Sequence, residues 1–206
     1  MTEVSTDANQ ATRSAWQAHD YASAATRALQ AYGQEILSFL TARLRQAADA
    51  EEAFSMFAED LWMGLPGFNF RCSARGWLYA LARNAANRHA SAPERRAVRN
   101  LPLSSDGAVT ALVDRARSEL NLCQRTDIKD KVRALRERLS QDDQSLLTLF
   151  VDRNLPWREI AMVMHEQGEL LDDDALDREA ARLRKRFERV KVDLKAMAIE
   201  AGLLKK

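Results

Sequence analysis

The sequence predicts an all-α protein of two small helical domains joined by a linker, and three observations support this prediction. The 206 residues include only 7 Gly, 4 Pro and 3 Tyr, a composition that favours helices over strands. Apolar residues recur at helical spacing, as at Ile36, Leu40 and Leu44. Pro93 and Pro102, with a polar stretch after them, mark a boundary between two such regions.

Composition and charge also exclude several classes of protein. A chain that is 46% hydrophobic and 30% charged can bury a core, so it is not disordered throughout. Cys72 and Cys123 lack the spacing of a disulfide framework or a zinc site, and we expect no metal and no cofactor. No signal peptide and no long apolar run is evident, which predicts a cytoplasmic protein without a membrane segment.

The first half of the chain is predicted to hold a tail and one helical domain. Residues 1–25 are interpreted as a mobile N-terminal tail in which Trp16 and Tyr21 dock locally. Residues 26–92 form the first domain, in which Asp49 can cap a helix that carries Phe54, Phe57 and Leu61 on one stripe. A break at residues 64–67 precedes a loop over 68–73, and a further helix runs from Ala74 to about Ala90.

The second half is predicted to hold a linker and a second domain. The linker covers residues 93–127 and includes a helical stretch near 109–122. In residues 128–206, Ser140 caps one helix and Trp157 opens a short amphipathic helix. An acidic segment, Glu166–Asp177, leads into a last helix from about Asp177 to Met197.

The nearly neutral total charge conceals alternating blocks of charge. The formal net charge of the whole chain is +1. By segment it is −5 for residues 1–60, +6 for 61–100, −1 for 101–130, +1 for 131–164, −6 for 165–177 and +6 for 178–206. Two separate basic blocks, each on an amphipathic helix, indicate two contacts with a phosphate backbone, although a basic helix face can also be simply solvated.

The first basic block combines aromatic, amide and cationic side chains. Rings in a loop can stack unpaired bases while guanidinium groups hold phosphates. The alternative is that Phe68 and Phe70 pack beneath the loop, and the side on which Trp77 lies stays open. The candidate DNA contacts here are Phe68, Asn69, Phe70, Arg75, Trp77, Tyr79, Arg83, Asn84, Asn87 and Arg88.

The second basic block predicts a helix-turn-helix whose last helix enters the major groove. Leu183, Phe187, Val190 and Leu194 form an apolar stripe, and basic residues repeat the same spacing on the far side. The connection of about a dozen residues exceeds the usual turn of three or four. The candidate DNA contacts are Trp157, Arg158, Arg178, Arg182, Lys185, Arg186 and Arg189.

Three stretches, in this order, resemble the extracytoplasmic-function class of bacterial sigma factors. Asp49-Ala50-Glu51-Glu52 through Trp62 is similar to the family's acidic segment, and residues 77–84 are similar to its Trp-Leu-Tyr and Ala-Arg-Asn stretch. Leu155 with Glu159-Ile160-Ala161 resembles the first helix of its −35-reading motif, and Leu183 to Leu194 fits the second. Pro156 stands where the family commonly has a capping Ser, and Phe54, Ser55 and Met56 replace its usual Gln and Glu.

The resemblance implies a subunit that directs RNA polymerase to promoters and favours DNA melting, without bond chemistry of its own. Residues 26–92 would be a region 2-like domain that binds core polymerase at the clamp helices of its largest subunit and meets the −10 element. Residues 128–206 would be a region 4-like domain that binds the polymerase flap and reads the −35 element, and whether an anti-sigma protein also binds stays open. The implied polymerase contacts are Asp49, Glu51, Glu52, Phe54 and Ser55.

Two other functions compete with this interpretation. The protein could be a stand-alone helix-turn-helix regulator whose N-terminal half senses a ligand or dimerises, which leaves the first basic block unexplained. Asp173-Asp174-Ala175-Leu176-Asp177 also spells the pattern with which helical isoprenoid synthases bind magnesium diphosphate. Acidic residues at the start of a helix are already stabilised by its dipole, so they need no metal, and no second metal motif is present.

We expect the acidic segment to point away from DNA or to contact a partner, because it would repel phosphate.

Overall fold

The computed structural model describes residue 10 and residues 12–70, 72–91, 127–165 and 172–204, with the backbone alone for residues 127–130. Within these ranges all regular structure is helical, which confirms the all-α prediction. The chain divides into two compact units, residues 1–122 and 123–206. No helix in the described ranges is long and apolar enough to cross a membrane.

The first unit is a bundle of three helices, each of which packs against the other two. They are α1 (Tyr21–Leu44), α2 (Ala47–Gly64) and α3 (Ala74–Ser91), and a short 3-10 turn, Leu65–Gly67, follows α2. The core is built from large residues of all three helices together with many alanines, which let the helices approach closely. Its largest fully buried side chains are Tyr79, Phe39, Phe57, Ile36, Leu40, Leu61, Leu65 and Leu78.

The helix starts of this unit differ from the prediction in two places. α1 begins at Tyr21, because the Asp20 carboxylate caps it by accepting a hydrogen bond from the Ser23 backbone N–H at 3.0 Å. Hydrogen bonds from the Ser23 side chain and from its backbone N–H hold the pKa of Asp20 below its usual value. α2 begins at Ala47 after Gln46, so the prediction that Asp49 caps this helix was wrong, and Asp49 lies in the first helical turn.

The described part of the predicted tail packs on the first unit. Residues 12–17 form a short helical turn, called here the N-terminal turn. Trp16 docks as predicted, since its indole Nε1 donates a hydrogen bond to the Leu65 carbonyl oxygen at 2.7 Å. Thr12 is also buried, and residues 21–25 belong to α1, so the described part of residues 1–25 packs as part of the first unit.

The second unit places one long helix against three short ones. These are α4 (Asp127–Glu137), α5 (Gln141–Leu147), α6 (Trp157–Met164) and α7 (Asp173–Glu200), and α7 packs against each of the others. A π-helical turn, Thr148–Asp152, follows α5. The predicted Ser140 cap is confirmed, because its hydroxyl oxygen accepts a hydrogen bond from the Asp143 backbone N–H at 3.1 Å.

α7 begins four residues before its predicted start. Asp172 caps it by accepting a hydrogen bond from the Ala175 backbone N–H at 2.6 Å, which brings Asp173 to Asp177 into the helix. The predicted apolar stripe is buried at Leu183, Phe187 and Val190, whereas Leu194 is only half-buried. Some predictions concern residues outside the described ranges. They are the helical stretch near 109–122, the linker over 93–126, Cys123 and the acidic residues 166–171.

Candidate nucleic-acid interface

A basic stripe runs along the exposed side of α7. Arg178, Arg182, Lys185 and Arg189 are all exposed and recur at the spacing of one helix face. They lie opposite the buried side chains of Leu183, Phe187 and Val190, so packing of the apolar face fixes which charges point outwards. This surface is called the α7 basic stripe below.

An aromatic cluster joins α6, α7 and the π-helical turn behind the stripe. Phe150 and Trp157 stack with ring centroids 4.3 Å apart, and Phe187 meets them edge-on at 4.7 and 5.6 Å. Trp157, a predicted DNA contact, is therefore half-buried in the packing of the unit. The guanidinium of Arg184 lies 5.6 Å from the Trp157 ring centroid.

One member of the stripe has an acidic neighbour on the same helix. The Arg182 guanidinium donates two hydrogen bonds to the Glu179 carboxylate, at 2.6 and 2.7 Å. The same hydrogen bonds lower the pKa of Glu179 and raise that of Arg182. The Arg182 side chain is nevertheless 63% exposed, so a phosphate can reach it.

Arg186 differs from its neighbours on α7 because it is half-buried. Its Nε lies 2.6 Å from Asp143 Oδ1 on α5, and its side chain is 26% exposed. Burial alone would raise the pKa of Asp143, but hydrogen bonds from Arg186 and Ser140 outweigh it and hold the pKa below its usual value. Arg186 thus ties α7 to α5, and it is less exposed than the four cations of the α7 basic stripe.

Arg158, which was also predicted to contact DNA, forms ion pairs within the second unit. Its Nη2 lies 2.6 Å from Asp173 Oδ1 and its Nε lies 3.1 Å from Asp177 Oδ1. The described end of the acidic segment therefore meets a basic side chain of its own unit. The pattern that resembles a magnesium diphosphate motif consists of Asp173, Asp174 and Asp177, which lie in the first turns of α7. Asp173 and Asp177 are paired with Arg158.

The aromatic residues of the first unit form an internal ladder rather than an open platform. Trp77 and Phe68 stack at 4.3 Å with planes 10° apart, Phe68 and Phe70 lie 4.4 Å apart, and Trp16 meets Phe70 edge-on at 4.9 Å. Phe68 is 6% exposed, so its predicted role in base stacking is corrected in favour of packing beneath the loop. These four rings are called the aromatic ladder below.

Two predicted contacts on α3 lie in the core. Tyr79 is fully buried and meets Phe39 edge-on at 5.3 Å, and Arg83 is 6% exposed. Both corrections have one cause: Ala82 and Ala86 on α3 let the neighbouring helices come close, which widens the buried face beyond the predicted apolar stripe.

The remaining polar candidates on and before α3 are partly engaged within the unit. Arg75 donates two hydrogen bonds to the Glu35 carboxylate, at 2.7 and 3.0 Å. Burial by itself would lower the pKa of Arg75, but the ion pair with Glu35 outweighs burial and raises this pKa. Arg88 pairs with Asp60 on α2, and Asn87 accepts a hydrogen bond from Arg43 at 2.8 Å. Asn84 is half-buried, and Asn69 is exposed.

The candidate polymerase contacts on α2 are divided between surface and core. Asp49 and Glu52 lie 3.8 and 3.2 Å from Nε2 of the buried His89 on α3. Glu51 and Ser55 are half-buried, and the Ser55 hydroxyl donates a hydrogen bond to the Glu51 carbonyl oxygen at 3.1 Å. Phe54 is 3% exposed and its ring lies beside Gly33 on α1, so its predicted contact with polymerase is corrected.

No protein-family model, curated protein or solved structure matches this chain. Its function is therefore argued from its surfaces. Among the described residues, no group of three or more His, Cys, Asp or Glu side chains is arranged to hold a metal ion. The surface feature with the clearest chemistry is the α7 basic stripe.

The sequence interpretation missed several surface residues. Trp62 and Met63, at the end of α2, are 56% and 80% exposed. Their offset from the stripe of Phe57 and Leu61 could have indicated this exposure. Arg13, whose guanidinium lies 5.2 Å from the Phe70 ring centroid, could not have been found, because no sequence pattern links the tail to the loop.

Proposed function

We propose that this protein is an RNA polymerase sigma factor that directs promoter recognition and DNA melting at transcription initiation. The observation that carries the proposal is the α7 basic stripe, four exposed cations on one face of a long helix in a helix pair. The order of the three sequence stretches supports the sigma-factor role in particular. Core polymerase and promoter DNA are the proposed partners, and the cytoplasm, where bacterial transcription takes place, is the proposed location.

The dimensions of the stripe suit duplex DNA. From Arg178 to Arg189 the helix rises by roughly 16 Å, at about 1.5 Å per residue. The major groove is about 12 Å wide, so a helix placed across it can meet both phosphate rims. Lys185 lies near the middle of the stripe and is the best candidate for a contact inside the groove.

The acidic start of α7 restricts how DNA can dock. In a typical helix-turn-helix, the first turn of the second helix contacts the base edges. Here that turn carries Asp173 and Asp174, which would repel phosphate. The proposal therefore places the DNA along the middle of α7, from Arg178 onwards.

The first unit would supply the polymerase contact and the single-strand contact. On α2, Glu51, Glu52 and Ser55 stay accessible for the polymerase, and Trp62 and Met63 add exposed apolar surface at the other end of the helix. In the loop, Asn69 is exposed and Phe70 is half-exposed, so these two residues are the remaining candidates for an unpaired base. This division is proposed on the resemblance together with the exposure of these residues.

Lys185→Ala tests the duplex contact, with Lys195→Ala as its matched control. Both side chains are exposed on α7, but Lys195 lies off the stripe. We expect Lys185→Ala to weaken promoter binding by about 1–3 kcal/mol, as for a lost base contact, and Lys195→Ala to have little effect. Equal affinities for the two variants would reject the role of the stripe.

Run-off transcription with purified core polymerase and a random promoter pool tests the sigma-factor role. We expect products that core polymerase alone does not make. Stable binding of the free protein to duplex DNA as a dimer, with no product above core alone, would favour the stand-alone regulator. The stand-alone regulator stays a second candidate function because the aromatic ladder packs internally. This packing leaves few exposed rings among the described residues of the first unit for stacking unpaired bases.

A further inference from the structure

Phe70 is the one ring of the loop over residues 68–70 that is not buried, and its surroundings are already occupied. The Phe68 and Trp16 ring centroids lie 4.4 and 4.9 Å from the Phe70 centroid, and the Arg13 guanidinium lies 5.2 Å from it. Trp16 and Arg13 both belong to the N-terminal turn. The N-terminal turn therefore covers part of the Phe70 ring, and a base that stacked there would have to displace it.

The backbone holds Phe70 in place for such a contact. Phe70 has a φ of 54°, in the left-handed region that a bulky side chain rarely adopts. Such a conformation persists only where the surrounding structure enforces it, and it is common at ligand-binding positions. Asn69, the residue before it, is exposed and offers an amide beside the ring.

The described contacts of the N-terminal turn with the loop are made by the side chains of Trp16 and Arg13. Trp16 makes one side-chain hydrogen bond, to the Leu65 carbonyl oxygen, and Thr12 is buried. Residues 12–17 are helical, and most of the stability of a helix in a folded protein comes from its tertiary packing. His19 follows with a φ of 59°, so the chain changes direction between the turn and α1.

The chemistry of the two covering side chains matches that of a single-stranded nucleic acid. A base competes with the Trp16 and Arg13 side chains for the Phe70 ring, while the phosphate beside the base competes with that ring for the Arg13 guanidinium. One ligand can therefore displace both contacts together. A duplex presents no unpaired base and could not do so.

We propose that the N-terminal turn is an intramolecular competitor that occupies the single-strand position on Phe70 and is displaced by unpaired DNA. This inference rests on the proposed function, which assigns Phe70 to the melted strand. Free protein would then bind single-stranded DNA weakly, and displacement of the turn would expose the site. The turn would thereby reduce binding to unpaired DNA before the promoter melts.

The test measures binding of a fluorescein-labelled single-stranded oligothymidylate by anisotropy. The variant carries Arg13→Ala and Trp16→Ala together, and the control variant Arg27→Ala removes one exposed cation of α1. Loss of a cation ordinarily weakens binding to DNA. We nevertheless expect the double variant to bind about fivefold to tenfold tighter than the wild type, because the competing contacts are gone. Arg27→Ala should bind the same or more weakly.

The gain should disappear when Phe70→Ala is added to the double variant. An affinity for the oligonucleotide that is unchanged or reduced in the double variant would overturn the competitor role. If Phe70→Ala weakens binding by the wild type, the proposed single-strand role of the loop survives that result. If the wild type and the double variant both fail to bind, the single-strand role and the competitor role fall together, whereas binding of duplex by α7 is tested separately through Lys185.

Hydrogen exchange in the unmodified protein provides a second test that does not depend on the folding of any variant. The backbone N–H groups of Ala18, His19 and Asp20 are hydrogen-bonded to carbonyl oxygens of residues 14–16. We expect their exchange to become faster when the oligonucleotide is bound, because the turn leaves Phe70. Unchanged or slower exchange at saturation would contradict displacement.

Discussion

Arg186 and Lys185 are neighbours on α7 with the same charge, but the structure predicts that replacing each by alanine affects a different property. The Arg186 side chain is 26% exposed and its Nε lies 2.6 Å from Asp143 Oδ1, whereas Lys185 is exposed on the α7 basic stripe. Arg186→Ala should therefore destabilise the second unit. Lys185→Ala should leave its stability unchanged and weaken duplex binding.

The magnitude for Arg186→Ala follows from the geometry of the pair. Two unit charges at about 4 Å attract by about 4 kcal/mol at an effective dielectric constant of about 20. Partial desolvation of both side chains offsets most of this attraction. Asp143 keeps its hydrogen bonds with Ser140 in the variant, so it is not left without a partner. We expect a net loss of about 1–2 kcal/mol in the free energy of unfolding.

Native-state hydrogen exchange in the full chain measures this loss. A loss of about 1.4 kcal/mol speeds exchange about tenfold for amides that open with the whole unit. The Leu183 amide reports on the second unit, and the Leu61 amide of the first unit is the internal control. Unchanged exchange at Leu183 in Arg186→Ala, or an equal effect of Lys185→Ala, would refute the assignment of Arg186 to the fold.

The same ion pair predicts the pH dependence of the second unit. Hydrogen bonds from Arg186 and Ser140 hold the pKa of Asp143 below its ordinary value of 3.8, despite the opposing effect of burial. The stabilisation is therefore fully present above pH 3.8 and is lost as the pH falls through the lower pKa of the folded protein. The stability difference between the wild type and Asp143→Asn should shrink in that window, and a difference that persists at lower pH would contradict this reasoning.

Two further predictions concern the acidic start of α7 and the aromatic ladder. The double variant Asp173→Asn with Asp177→Asn should bind duplex DNA severalfold more tightly, because it releases Arg158 and removes negative charge beside the α7 basic stripe. A salt titration of duplex binding measures this effect. Weaker binding by the variant would show that the two carboxylates position Arg158 for DNA instead. Phe68→Ala should destabilise the first unit by about 3–5 kcal/mol, because Phe68 is buried against Trp77. A loss of less than about 1 kcal/mol by urea unfolding would show that the ladder is not part of the core.

The sequence predicted the features that depend on local periodicity. The apolar stripe of α7 and the cations opposite it follow from one helical repeat, so both faces could be placed without knowing what packs against them. The Ser140 cap was equally local. The fold class and the outward side of α7 were predictable for this reason.

The features that depend on distant residues were not predictable. Arg186 and Arg158 carry the same charge as the exposed stripe, and only the folded chain brings Asp143 and Asp173 to them. Phe54 was judged by its place in a motif, but its burial comes from packing against another helix, on which Gly33 lies beside its ring. Arg83 was assigned to a polar face whose width depends on how closely the other helices approach.

The contact between Arg184 and Trp157 gives the second unit an optical reporter of its own. The chain has four tryptophans, and Trp16, Trp62 and Trp77 all belong to the first unit. Trp157 lies in the second unit, with the Arg184 guanidinium 5.6 Å from its ring centroid. If phosphate draws this guanidinium away, the emission of Trp157 changes while its neighbours Phe150 and Phe187 stay packed. A protein with phenylalanine at the other three positions would then reveal DNA binding by α7 without any attached dye.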